Sequence, residues 1–286
     1  MNTAPPKGRL LPAIRPVGLL QPWVWLTLGW HDLRRAPLLS LAHGLLMTLM
    51  GWLIMALAHD RFWLLAGSVS GFLVVAPMLA TSLYAMSRAF ERGEQVDAAL
   101  LVRTWTQWQL SLKLQPDSYW SLIRFGLLLS LAATGWVLTS SALITLLSPV
   151  PIEKPVDFLR HIVLARDNRV FELWMVLGGL MAAPMFASSV ISMPLLLDRH
   201  VSVLQAVLTS WKAVLLNPLP LGLWAFLILW LSLAGMALAF VGLVIVIPLL
   251  GHASWHAYRQ LVDPSGFVLR LQAGHGGASP QDRGAA

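Results

Sequence analysis

Cysteine is absent from the 286 residues of this sequence. Its absence excludes disulfides, cysteine–zinc sites, iron–sulfur clusters and thiol catalysis. Charged residues are also scarce, at 12% of the chain, whereas an average soluble domain contains about 25%. The scarcity of charge points away from the soluble class of proteins.

Apolar residues take the place of the missing charges. They make up 57% of the sequence, and the mean hydropathy is +0.69. These values indicate an all-α integral membrane protein. The formal net charge of +7 is typical of loops that face anionic lipid headgroups. We therefore expect a lipid bilayer, and no nucleic acid, as the partner of this chain.

Long apolar runs predict six membrane-spanning helices. Four runs are long enough to cross about 30 Å of hydrocarbon, and they cover residues 38–58, 62–86, 122–147 and 173–197. A fifth run, residues 219–250, would measure about 48 Å as a single helix. Because this length exceeds the membrane, we expect the run to divide between Gly235 and Gly242 into spans at 219–236 and 240–258.

The distribution of lysine and arginine indicates the orientation of these spans. With six spans and a cytoplasmic N-terminus, fifteen of the 20 basic residues fall on the cytoplasmic side and five on the other. Cytoplasmic loops collect basic residues in this way. The sequence thus predicts a multi-pass protein with both termini in the cytoplasm. Residues 21–262 form its membrane domain, and the terminal segments 1–20 and 263–286 are expected to be disordered.

A short pattern recurs in three of the apolar runs. The stretches "GFLVVAPMLATSLYAMSR", "GGLMAAPMFASSVISMPL" and "GLVIVIPLLGHASWHAYR" each begin with glycine and contain proline six residues later: Gly71 and Pro77, Gly178 and Pro184, Gly242 and Pro248. Proline inside an apolar run kinks a helix. The pattern predicts three repeated helical hairpins, each with a kink in its second helix.

Tryptophan-bearing segments precede these hairpins. "WHDLRRAPLLSL" from Trp30 and "WKAVLLNPLPLG" from Trp211 share the spacing W-x6-P-L, and residues 97–116 follow it more loosely. We interpret each segment as an amphipathic cytoplasmic helix. Tryptophan rings anchor such helices at headgroup depth. The predicted interface anchors are Trp23, Trp25, Trp30, Trp105, Trp108, Trp211 and Trp255.

Acidic residues are absent from the proposed spans. Proton-coupled transporters and pumps usually place a carboxylate at membrane depth, so this absence argues against such a mechanism. The sequence also lacks a phosphate-binding glycine loop and a zinc-protease signature. No histidine or acid is spaced along the chain so as to activate a serine or threonine within a span. The sequence therefore predicts no catalytic residues.

The segment "GHASWHAYR" contains the one remaining candidate site. His252 and His256 are spaced i and i+4, which places both imidazoles on one face of a helix. With His43 of the first span as a further ligand, this pair could bind a metal or haem. The alternative is a helix end that packs against the first span, and we favour it, with no cofactor. Metal analysis and a visible spectrum distinguish the two.

Several segments of the chain resemble a known family. "PWVWLTLGWHDLRRAPLLSLAHGLLMTLMGWLI", "MPLLLDRHVSVLQAVLTSWKAVLLNPLPLGLWAFLILW" and "PLLGHASWHAYRQLV" are similar to domain-of-unknown-function family 2189, bacterial predicted integral membrane proteins without an established function. The resemblance extends over about residues 20–263 and is most specific at "GHASWHAYR". It implies a location in the bacterial inner membrane and supplies no catalytic residues. Some members are labelled as cytochrome c oxidase subunits, which implies a link to haem or copper.

Together, these features favour a non-enzymatic inner-membrane protein that acts in packing, assembly or the binding of a membrane protein partner. A small-molecule transporter or channel is the second interpretation, because broken helices also line transport sites. An accessory protein that handles haem or copper for respiratory oxidases is the third.

The six-span topology makes a direct prediction about sidedness. Reporter fusions after Arg270 and within residues 152–170 should lie on opposite sides of the membrane, with the first in the cytoplasm. Fusions that report the same side at both positions would refute the topology.

Overall fold

The described part of the chain folds into α-helices joined by turns, with one short pair of β-strands. The computed structural model describes residues 11–58, 60, 80–104, 116–165 and 169–268, and for residues 116–122 the backbone alone. The helices are α1 (Gln21–Arg35), α2 (Pro37–Ala58), α3 (helical residues 80–91), α4 (helical residues 98–104), α5 (Pro116–Leu147), α6 (Pro155–Phe158), α7 (Val170–Ser189), α8 (Ser192–Asp198), α9 (Val203–Leu216), α10 (Pro218–Ala237) and α11 (Leu243–Leu261). A π-helical turn, Leu159–Val163, follows α6.

Among the described residues, four helical stretches are long and apolar enough to cross a membrane: Pro37–Ala58, Ile123–Leu147, Val170–Asp198 and Pro218–Ala237. They coincide with four of the predicted spans, so the all-α membrane architecture is confirmed. The predicted span at 62–86 lies mostly outside the described residues, and only its last part falls in α3. The total of six spans therefore stays a prediction.

Helix α11 replaces the predicted last span at 240–258, and it is not one of the four apolar candidates. It packs along α1 and α2 and also contacts α10 and α8. Its polar side chains lower its hydropathy, and many of its residues are buried against these neighbours. The predicted division of the long apolar run is confirmed, because residues 238–242 form a turn between α10 and α11.

The turn between α10 and α11 is held by side chains of α2. Ala239 and Phe240 adopt positive φ angles of 50° and 66°, which are strained for residues with a Cβ. Trp52 Nε1 donates to the carbonyl of Ala239 at 2.7 Å, and Thr48 Oγ1 donates to that of Phe240 at 2.9 Å. The turn thus lies beside Trp52 of α2, and by helical rise this residue is about 9 Å from the end of that helix at Ala58. Irregular backbone in apolar surroundings needs such donors.

The candidate span Val170–Asp198 is interrupted at Val190 and Ile191. Pro194 lies four residues after Val190. It has no backbone N–H, so it cannot donate the helical hydrogen bond to the carbonyl of Val190. The N–H of Ile191 donates to Ser210 Oγ of α9 at 3.1 Å. The interruption thus coincides with a lost helical hydrogen bond at Val190 and with a side-chain acceptor for Ile191, and the sequence pattern did not single out Pro194.

The prolines of the predicted repeat differ in where they lie. Pro184 is inside α7 and Pro248 is inside α11, and both helices are continuous through them. Pro77 lies outside the described residues. The common trace of three kinked hairpins stays a prediction.

The prediction of disorder for residues 1–20 and 263–286 is wrong where the structure describes these segments. β1 (Ala13–Ile14) pairs antiparallel with β2 (Val262–Asp263). The backbone N–H of Arg15 also donates to the carbonyl of the last residue of α11 at 2.8 Å. These bonds order the two ends because backbone groups beside the apolar bundle pair with each other.

Two glycines allow α1 and α2 to approach α11 closely. A Cβ at Gly44 would overlap the backbone of Val244, and a Cβ at Gly29 would lie 2.7 Å from the backbone nitrogen of Ala253. Small residues permit this kind of contact between membrane helices. The packing of α11 therefore depends on the absence of a side chain at these positions.

Replacing Gly44 with alanine should destabilise the protein, because the new methyl group forces α2 away from α11. We expect the free energy of unfolding in detergent to fall by about 1–3 kcal/mol. The matched control is Gly135→Ala in α5, where no atom of another described element lies within 4 Å of an added Cβ. This control should be neutral or slightly stabilising. Equal stability of the two variants would contradict the close approach.

Candidate functional site

A buried polar network joins α11 to three other helices. It contains His252 and His256 of α11, Asp32 of α1, Ser40 of α2 and Ser87 of α3. The first histidine, the acid and both serines are at most 4% exposed, and His256 is half-buried. The network lies where the N-terminal and C-terminal parts of the chain meet.

The five side chains form one continuous chain of hydrogen bonds. Nε2 of His252 lies 3.0 Å from Ser40 Oγ, and its Nδ1 lies 2.8 Å from Ser87 Oγ. Ser87 Oγ donates to Asp32 Oδ2 at 2.8 Å. Nε2 of His256 lies 2.8 Å from the same carboxylate oxygen. Helices α1, α2, α3 and α11 are thereby linked through polar atoms.

The charge of Asp32 determines the direction of every bond in this network. An ionised carboxylate can only accept, so Ser87 uses its hydroxyl hydrogen on Asp32. The Ser87 oxygen must then accept from His252, which places the proton of that neutral imidazole on Nδ1. Nε2 of His252 is left as an acceptor for the Ser40 hydroxyl. The carboxylate thus selects the tautomer of a histidine that it does not touch.

The ionised state of Asp32 is favoured by its partners. Burial raises the pKa of this carboxyl, but the hydrogen bonds from His256 and Ser87 outweigh the effect and hold the pKa below its ordinary value of 3.8. Asp32 is therefore charged at neutral pH, as the direction of the hydrogen bonds requires.

A hydroxyl bonded to an imidazole is also the arrangement of an activated serine nucleophile. Ser40 is 0% exposed, so the described conformation offers no route for a substrate to its hydroxyl. In this geometry the network holds four helices together through its hydrogen bonds.

The predicted metal ligands are engaged by other groups. Both ring nitrogens of His252 and one of His256 bond to members of the network. Nδ1 of His43 lies 2.7 Å from the carbonyl of Leu39 in its own helix. Within the described ranges, no group of three or more histidine, aspartate or glutamate side chains is placed to hold a metal ion. The structure brings the pair on α11 into one network, but His43 bonds elsewhere.

Asp32, Ser40 and Ser87 were not found from the sequence. The proposed spans contain no acid, and Asp32 lies outside them in α1. One local signal was present: Trp25, Gly29 and Asp32 are spaced by four and three residues, so they share one helix face. All three are buried, and this face meets α11.

A second buried acid, Asp198, makes hydrogen bonds and ion pairs in the same region. Asp198, at the end of α8, is 2% exposed. It accepts from the hydroxyl of Tyr258 at 2.8 Å and from Arg199 at 3.0 Å. Arg92, just after α3, contacts it at 3.3 Å. Asp198 comes one residue after the predicted span at 173–197, and it links the end of α8 to α11 and to Arg92.

The predicted tryptophan anchors separate into two classes. Trp23, Trp30 and Trp211 are 52%, 43% and 37% exposed, as an interface position requires. Trp105 and Trp108 lie outside the described residues.

Trp25 and Trp255 are not interface anchors, because they are 0% and 1% exposed. The indole of Trp25 donates to the Gln260 side chain at 2.8 Å and packs edge-on against Trp224. The indole of Trp255 donates to Glu91 at 3.2 Å. Buried indoles need such acceptors, and both side chains belong to the core.

Apolar spans arranged with buried acid networks define the class as an α-helical integral membrane protein. Within this class, residues 64–198 match the model of the DUF2189 family, described as predicted integral membrane protein. The family resemblance is thereby confirmed for that part of the chain. The matched segment is shorter than the expected 20–263 and does not include α11. No curated protein and no solved structure matches the chain.

Replacing Asp32 with asparagine should destabilise the protein and reduce its sensitivity to acid. We expect the free energy of unfolding at neutral pH to fall by about 1–3 kcal/mol, since an amide cannot serve both donors as a carboxylate does. The folded-state pKa of Asp32 lies below 3.8. The stabilisation it provides is therefore present above the unfolded value and is lost as pH falls through the folded value.

Unfolding in detergent, measured from neutral pH down to about pH 3, tests this expectation. The wild-type protein should lose stability over the acidic range more steeply than Asp32→Asn. The control is Glu153→Gln, an exposed carboxyl, whose curve should parallel that of the wild type. A parallel curve for Asp32→Asn would show that the carboxylate does not stabilise the fold.

Proposed function

We propose that this chain is a non-enzymatic protein of the bacterial inner membrane, with a role in packing, assembly or the binding of a membrane protein partner. One observation carries the proposal: α1 and α9, which lie outside the four candidate spans, each have an exposed apolar face. Such faces on amphipathic helices bind lipid surfaces or other proteins.

The exposed face of α1 includes Trp23, Val24 and Trp30, and Leu20 precedes it. These residues recur at helical spacing, opposite the side that meets α11. Arg34 and Arg35 end the helix and are both exposed. A tryptophan-bearing apolar face that ends in arginines suits the boundary between acyl chains and anionic headgroups.

Helix α9 presents a similar face. Leu204, Leu208, Trp211 and Leu215 are 67%, 45%, 37% and 71% exposed, and their spacing of four, three and four residues places them on one side. Lys212 is exposed beside them. The Trp211 indole also donates to Ser188 of α7 at 2.9 Å, which fixes the helix against the bundle.

The strand pair supports a topology with both termini on one side. Since β1 bonds to β2, the chain between them must cross the membrane an even number of times. Six membrane helices in three hairpins, with the excess of basic residues in the cytoplasm, satisfy this condition. Both amphipathic helices then lie on the cytoplasmic leaflet.

The buried network gives these faces a fixed position. Asp32 of α1 is bonded to Ser87 of α3 and His256 of α11, so α1 cannot rotate without breaking both bonds. A rigid surface helix loses less conformational entropy when a partner binds. The transporter and haem or copper alternatives draw no specific support from the described residues.

Spin labels can test whether the two faces rest on lipid. The chain contains no cysteine, so Val24→Cys and Leu208→Cys each provide a single labelling site. In liposomes, both labels should be more accessible to oxygen than to a water-soluble nickel chelate. The matched control is Ser265→Cys in an exposed turn, which should show the reverse. Equal nickel accessibility at all three sites would contradict the proposed leaflet position.

A further inference from the structure

An open groove of about 540 Å³ lies between the end of α5 and the start of α7. Its volume is in the range of about 300–1,000 Å³ that is typical of small-molecule sites. Its lining is apolar at Leu147, Val170, Leu173 and Val176 and charged at Arg169 and Glu172. The two charged residues lie at the N-terminal end of α7, and we call this end the rim of the groove. None of these residues belongs to the polar network around Asp32.

The groove lies at the ends of two candidate spans. Leu147 ends one span and Val170 begins the next, so the rim lies near the boundary of the hydrocarbon. Leu173 and Val176 continue along α7 away from the rim, toward the apolar interior. They are 42% and 66% exposed. A groove with a charged rim and an apolar interior is complementary to a lipid: the rim can contact the polar headgroup, and the interior can contact an acyl chain.

The two charges on the rim are opposite in sign. Arg169 and Glu172 are spaced i and i+3, which makes them neighbours on the helix surface. Both are exposed, and neither has an ion-pair partner among the residues that the structure describes. Guanidinium groups bind phosphate oxygens through several N–H donors. A carboxylate accepts hydrogen bonds from a primary ammonium group.

We propose that this groove binds a phospholipid with a zwitterionic, amine-bearing headgroup of the phosphoethanolamine type. Arg169 binds its phosphate, Glu172 binds its ammonium group, and one acyl chain lies along Leu173 and Val176. An anionic phosphoglycerol headgroup offers Glu172 no cation. A phosphocholine headgroup carries no N–H to donate to the carboxylate. The pair of opposite charges therefore selects among membrane lipids.

Native mass spectrometry of the full-length protein tests the selection. The protein in detergent is mixed with equal amounts of phosphoethanolamine, phosphocholine and phosphoglycerol lipids that have the same acyl chains. The complexes are then freed of detergent in the gas phase, and the lipids that stay bound are identified by mass. We expect the phosphoethanolamine lipid to be retained about threefold to fivefold over either of the others, the size of effect that an exposed ion pair supports. Equal retention of the three lipids, or preference for phosphoglycerol, would overturn the proposal.

Three variants assign the headgroup and the acyl chain to their parts of the groove. Glu172→Gln should remove the preference for phosphoethanolamine over phosphocholine, and Arg169→Gln should reduce retention of all three lipids. Val176→Trp should fill the groove and also reduce retention of all three. Its control is Leu229→Trp, at a position of α10 that is 56% exposed, which should leave retention unchanged. A preference that survives Glu172→Gln, or equal effects of the two tryptophan variants, would overturn the proposal.

Discussion

The carboxylate of Asp32 is the constraint from which the contacts of α11 follow. In an apolar chain a buried polar group has few partners, and leaving one unpaired is costly. Because Asp32 can only accept, it makes Ser87 a donor, places the proton of His252 on Nδ1 and leaves Nε2 to accept from Ser40. A single negative charge thereby orders groups on four helices. Networks of this kind specify one packing arrangement only when every member is satisfied.

This network requires helices that approach each other more closely than large side chains allow. Gly29 lies three residues before Asp32, and Gly44 lies four residues after Ser40, so each glycine shares a helix face with a polar residue. The glycines bring the backbones of α1 and α2 against α11, and the polar side chains then reach their partners. Packing and polar bonding therefore depend on each other: a side chain at Gly44 would also displace Ser40 from His252.

The distribution of polar groups bears on function. The acids nearest the core, Asp32 and Asp198, are matched by donors within the chain, and their chemistry is used to hold helices together. The surfaces left for other molecules are of another kind: apolar faces on α1 and α9, and a groove with a charged rim beside α7. The proposed role in assembly and membrane contact rests on these surfaces.

The sequence by itself determined the class of the protein, four apolar spans, the division of the last long run and the common face of His252 and His256. These features are local, since run length and helical periodicity are written in neighbouring residues. Tertiary structure decided the rest. Asp32 meets His256 across 224 residues, and no local pattern encodes that contact. Trp25 and Trp23 are two residues apart, yet one is buried and one exposed, because contact with α11 sets the rotation of α1. Periodicity states which residues share a face, but only the packing of whole helices determines what that face meets.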